Sequence, residues 1–245
     1  MFPIRDHNPS GGTPYVTYAL IAANVVIYLA YSVTLQTEDQ LGQFYYSWGL
    51  IPARVMAGEG VHTLFSHMFL HGGLMHLAGN MLFLWIFGDN MESELGPVRY
   101  LLFYLICGLA AAADQIWGDP GSYAPMVGAS GAIAGVLGGY LVLFPKARVD
   151  VLFIFVIFFR VFAIPAWIVL GVWFGLQILS HASAAADGVA YLAHIGGFLA
   201  GLVLATIALL RRGGRAFWAR TAGHPPHPAA EYKLSRSSIP KVPRR

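Results

Sequence analysis

Hydrophobic positions in this chain fall into long runs broken by few polar residues, unlike the alternating or one-face stripes of a soluble protein. The first run is Tyr15 to Val33. A long connection rich in glycine and polar residues follows, then runs at Leu74 to Phe87, Tyr100 to Ala113 and Ala129 to Phe144, and a last one at Ala190 to Leu210. About 20 apolar residues cross a hydrocarbon core of about 30 Å, so each run reads as a spanning helix. Between the fourth and last runs lies Val151 to Ser180, too long for one upright helix and too short for two spans with a turn. Arg160 and Pro165 interrupt it. Dividing there gives an interfacial segment, Val151 to Phe162, and a fifth span, Pro165 to Leu179. The expected architecture is an all-α polytopic membrane protein with six transmembrane helices.

Composition agrees. Of the 245 residues, 57% are hydrophobic and 11% charged, against about 25% charged in soluble domains. The formal charge of +3 reads as topology rather than as nucleic-acid binding. With both ends cytoplasmic, Arg5, Arg99, Lys146, Arg148 and the basic residues from Arg211 onward fall inside. Arg54 falls outside, with Glu38, Asp39, Glu59, Asp119 and Asp187. Residues 1–14 then form a short cytoplasmic segment and 15–210 the membrane domain. Residues 211–245, with Pro225, Pro226, Pro228, Pro240 and Pro243, form a basic disordered cytoplasmic tail able to touch anionic lipid. The lone Cys107 allows no internal disulfide. The first run is long enough to span, so no cleavable signal peptide is expected.

Against this background four polar residues stand out. Spans two, four and six run in the same direction, and each opens on polar groups: His76 and Asn80, Ser130, and His194. His76 and Asn80 are one helical turn apart and share a face. All four are expected at a shallow depth below the outer surface, turned to the bundle interior or to water. Gly131, Gly135 and Gly139 descend span four, and Gly197 and Gly201 span six. Such stripes let helix backbones touch and would carry His194 towards Ser130. A serine hydroxyl needs a base to become a nucleophile, and His194 is the candidate.

These residues resemble the motifs of the rhomboid-family intramembrane serine proteases. Gly128-Ala129-Ser130-Gly131 is similar to the family's Gly-x-Ser-Gly motif. Ala193-His194 followed by Gly197 and Gly201 is similar to its histidine segment, and His67 through Asn80 to its His-x-x-x-Asn segment. The resemblance implies a six-helix rhomboid-like bundle with Ser130 as nucleophile and His194 as general base. The Ser130 N–H, His76 and Asn80 would be the oxyanion donors, and no cofactor or metal would be needed. It implies single-span transmembrane proteins as substrates, cut within or near the outer leaflet of the lipid bilayer, with no obligate partner. A bacterial cytoplasmic (inner) membrane is the expected location.

Two positions depart from the family pattern. Ala134 stands where some members stack an aromatic ring on the histidine, and His62-Thr63 where many carry Trp-Arg. Nothing assigned in the sequence orients His194, and Asp187 is the nearby carboxylate. His67 and His71 are expected to bond loop backbone, and Trp167 and Trp173 to face lipid or the interface. A metal or haem site is disfavoured. On one continuous helix His76 would lie about 140° beyond His71, and no His-Glu-x-x-His or cysteine cluster occurs. The alternative is a catalytically silent rhomboid-like protein that binds membrane segments.

Overall fold

The computed structural model describes residues 2–8, 11–155, 158–183 and 188–224. Asp187 and residues 225–245 lie outside them. The expected runs appear as helices: α1 (Tyr15–Thr34), α5 (Leu74–Leu95), α6 (Pro97–Gly118), α7 (Ser130–Leu143), α8 (Ala166–Ala182) and α9 (Tyr191–Arg211). Shorter helices α2 (Glu38–Trp48), α3 (Pro52–Met56) and α4 (Thr63–Ser66) fill the long first connection, and α10 (Arg215–Thr221) follows α9. Among the described residues α1, α6 and α9 are long and apolar enough to cross a membrane. The segments Thr63–Phe69 and Leu74–Leu95, bent by 93° from each other, make a fourth candidate if taken together.

One expectation of the fold class fails. The protein is not all-α, because β1 (Phe2–Asp6), β2 (Arg148–Phe155) and β3 (Phe158–Pro165) form an antiparallel sheet in the order β1-β2-β3. The interfacial segment inferred from Val151 to Phe162 is this hairpin, registered from Arg148 opposite Pro165 to Phe155 opposite Phe158. Valine and phenylalanine favour strands, and cross-strand pairing satisfies backbone groups that a flat segment would leave open. Val149 and Val151 alternate into the core, while Asp150 on the other face is bound by Arg5 and His7, each at 2.6 Å.

The same end of the bundle gathers α10, whose Phe217 is buried and whose Trp218 indole N–H donates to the Val142 carbonyl at 3.1 Å. The described part of the expected tail is therefore docked helix. Glu92 lies at this end too. Its carboxylate accepts from the Val16 and Thr17 N–H groups at 2.9 and 2.8 Å, capping α1, which has no side-chain N-cap of its own.

Asp6 fastens β1 to the bundle, accepting from Asn90 Nδ2 at 2.7 Å and the Tyr140 hydroxyl at 3.0 Å. Burial, then the neighbouring Asp89, pushes its pKa up to about 7. Asp150 is held below the carboxylate range. Burial would raise it, but the hydrogen bonds from Arg5 and His7 outweigh that. The two groups have opposite signs. Docking of β1 weakens as pH rises from 3.8 through 7, where buried Asp6 must ionise, and weakens again as acid protonates Asp150. Corrected for the intrinsic exchange rate at each pH, protection of the β1 amides should be highest at mildly acidic pH, and Asp6→Asn should abolish the loss of protection on the neutral side.

At the centre, α7 packs backbone to backbone on α9. A methyl group at Gly197 would strike the Gly131 carbonyl, and one at Gly201 the Gly135 carbonyl. The third glycine of the stripe does not continue this contact. Gly139 meets Phe103, and Gly138 takes its place against Phe198. Steps of four residues drift about 40° round a helix, so two steps move a residue off the face while seven residues bring one back. Gly201→Val should cost about 1–3 kcal/mol by overpacking, read as a lower unfolding temperature in detergent.

Candidate active site

α7 is 14 residues long, about 21 Å at 1.5 Å per residue, and therefore shorter than a hydrocarbon core of about 30 Å. It tolerates this because residues 131–140 are buried on all sides by protein. The backbone beyond its first turn thus lies among protein groups rather than lipid. The chain leading into α7 is pinned: Leu50 and Met126 exchange N–H···O bonds at 2.9 and 2.8 Å, and the Gly128 N–H donates to the His67 carbonyl at 2.9 Å. Ser130 opens α7 directly after.

The structure brings the four expected residues together. Ser130 Oγ lies 2.8 Å from His194 Nε2. They border a cavity of about 850 Å³ that also reaches His76, Asn80, Met126 and Trp173. Gly128 has φ +136°, open to glycine, and a Cβ there would lie 2.9 Å from His76 Nε2. The Gly72 N–H makes a long 3.4 Å bond to His76 Nδ1. Nδ1 is then the acceptor, so Nε2 carries the proton, on the side of the ring that lies against Gly128. Asn80 is buried, and its Nδ2 has no hydrogen-bond partner among the described residues. The Ser130 N–H belongs to the first turn of α7, where no intrahelical acceptor exists. A serine–histidine pair sharing a cavity with His76 and Asn80 holds the kinds of group that acyl transfer uses.

Gln177 on α8 was missed from the sequence. Its Oε1 lies 2.7 Å from His194 Nδ1. Trp173, one turn earlier, is not turned wholly to lipid: its ring centroid is 5.9 Å from that of His194, tilted 35°. Position 173 lies on the α8 face that meets α9, whereas Trp167 is 56% exposed, as expected. Four-residue spacing from Trp173 to Gln177 was the available signal, but a glutamine in an apolar run carries no mark of its partner.

The remaining histidines divide. His67 Nδ1 bonds the Thr63 carbonyl at 2.8 Å, as expected. His71 does not bond backbone through its ring, whose nitrogens have no partner among the described residues. Its main chain does that work, the N–H donating to Tyr31 and the carbonyl accepting from Tyr31 and Tyr45. His62 bonds the Ser47 carbonyl at 2.9 Å and meets Trp48 edge-on.

Apolar helices around the cavity that Ser130 and His194 border define an integral membrane protein. Residues 58–211 match the Rhomboid domain family, and the chain belongs to the rhomboid family. It is 34% identical over 74% of its length to RHOMBOID-like protein 4 of Arabidopsis thaliana, covering 40% of that protein. With the human presenilin-associated rhomboid-like protein, mitochondrial, it shares 30% over 80% of its length, covering 48% of that protein. With rhomboid protease GlpG of Salmonella paratyphi A it shares 28% over 80%, covering 63%. The chain thus spans less than two thirds of these relatives' lengths. Mitochondrial as well as bacterial proteins are among them, so the similarity does not support the expected bacterial inner membrane.

Proposed function

We propose that the protein is an intramembrane serine endopeptidase acting on single-span membrane proteins within or near the outer leaflet. The observation that carries this is the 2.8 Å Ser130 Oγ–His194 Nε2 contact inside the cavity. Ser130 Oγ attacks the scissile carbonyl carbon as His194 Nε2 takes its proton. The carbonyl oxygen becomes the oxyanion, received by the Ser130 N–H, His76 Nε2–H and Asn80 Nδ2–H. Collapse expels the amine, which takes the proton from His194, and leaves an acyl-serine. Water, deprotonated by His194, then attacks the ester, and collapse returns the proton to Ser130.

A six-span topology with both ends inside fits this reading. Arg5, Lys146, Arg148, Arg160, Arg212 and Arg220 sit on the elements at the sheet end of the bundle, and Arg54, Glu59 and Asp119 at the Ser130 end. Short α7 recesses Ser130 below the surface, leaving room for water above it. A fluorophosphonate probe with purified protein in detergent tests the proposal. Labelling at Ser130 together with cleavage of a single-span substrate supports it. An unreactive Ser130 points instead to a silent relative that binds membrane segments.

A further inference from the structure

We infer that Gln177 is the positioning residue for His194, in the place where a carboxylate stands in a triad; this rests on the proposed hydrolase. Gln177 Nε2 donates to the Trp173 carbonyl at 3.2 Å, which turns Oε1 towards the histidine ring. Oε1 can only accept, so His194 Nδ1 must carry the proton and Nε2 is left as the acceptor that faces Ser130 Oγ. Both ring nitrogens are thereby engaged, and the tautomer able to take the serine proton is selected. Without the amide oxygen, the opposite tautomer presents Nε2–H to the serine and cannot act as base.

An amide suits this depth better than a carboxylate. Gln177 is 9% exposed, and a buried anion there would carry a desolvation cost that a neutral acceptor avoids. Trp173 completes the support from the same helix face: its ring lies within about 6 Å, the range in which an aromatic face attracts the imidazolium as it forms. The position four after the serine is Ala134, fully buried with no ring to offer. Here α8 supplies what α7 does not. Other titratable groups facing α9 near this level are His76 on α5, Asp114 on α6 and His181 on α8, with Tyr191 on α9 edge-on to the His194 ring at 6.4 Å.

The test compares wild type, Gln177→Leu and Gln177→Glu, as full chains in detergent, by fluorophosphonate labelling and by the pH profile of substrate cleavage. Gln177→Leu should lower kcat by about 10–100-fold, as for outer partners of a working imidazole, with KM little changed. Gln177→Glu keeps an acceptor at the same reach, so it should retain more activity than the leucine variant. Its charge stabilises the imidazolium, so the acidic limb of the kcat/KM profile should move to higher pH. Unchanged kcat in the leucine variant, or an unshifted acidic limb in the glutamate variant, overturns the role of Gln177 while the hydrolase stands. A wild-type chain that labels no better than Ser130→Ala overturns the hydrolase itself, and Gln177 with it.

Discussion

Ser130→Ala should abolish cleavage, with a loss on the order of 10⁴-fold or more, and His194→Ala should fall to the same floor. The magnitude follows from the chemistry left behind. Without Oγ no acyl-serine forms, and a water in its place is neither held 2.8 Å from His194 Nε2 nor fixed in line with a carbonyl. Without the imidazole, Oγ keeps its proton: among the described residues the hydroxyl's side-chain partner is His194. Because the two act in one step, the double variant should be no slower than either single one. Measured on a single-span substrate in detergent, additive losses would mean that Ser130 and His194 act independently. Stability should fall by no more than about 1 kcal/mol in Ser130→Ala, the usual net worth of one hydrogen bond, here the bond to His194 at the cavity wall, and circular dichroism melting checks this.

The parts of the fold legible in sequence were those governed by long-range burial of apolar runs. Each expected span corresponds to a helix within a few residues at most ends, with α5 extending well past Phe87 to Leu95. The extension carries Asn90, Glu92 and Glu94, which are polar yet satisfied by Asp6, by the start of α1 and by Arg212. Hydropathy cannot foresee such partners. The sheet was hidden for the same reason: β2 is apolar like a span, and its partner β1 is more than a hundred residues away in the chain. Ser130 and His194 could be paired because glycine stripes announce which helices touch. Gln177 could not, because α8 meets α9 through Trp173, Phe174 and Phe198, large side chains that give no such register.

Asn80→Ala should lower turnover by about 10²–10³-fold, the usual consequence of losing one oxyanion donor, with little change in KM. Its effect on stability should be small. Among the described residues Asn80 Nδ2 makes no hydrogen bond within the protein, so the alanine variant breaks no protein–protein hydrogen bond of the kind whose loss costs about 1–3 kcal/mol. The variant should therefore melt close to wild type. A purely structural asparagine would behave oppositely, losing stability while turnover per folded molecule stayed level. Asn80→Asp separates the two readings further. It keeps size and shape but aims acceptor oxygens at the place where negative charge develops, so it should be at least as slow as the alanine variant. His76→Ala should cost a similar factor in turnover, because His76 Nε2 lies beside Gly128, 2.9 Å from where a Cβ would stand, on the wall of the same cavity. In the proposed mechanism both side chains donate to one oxyanion, so the loss in the double variant should fall short of the product of the single losses.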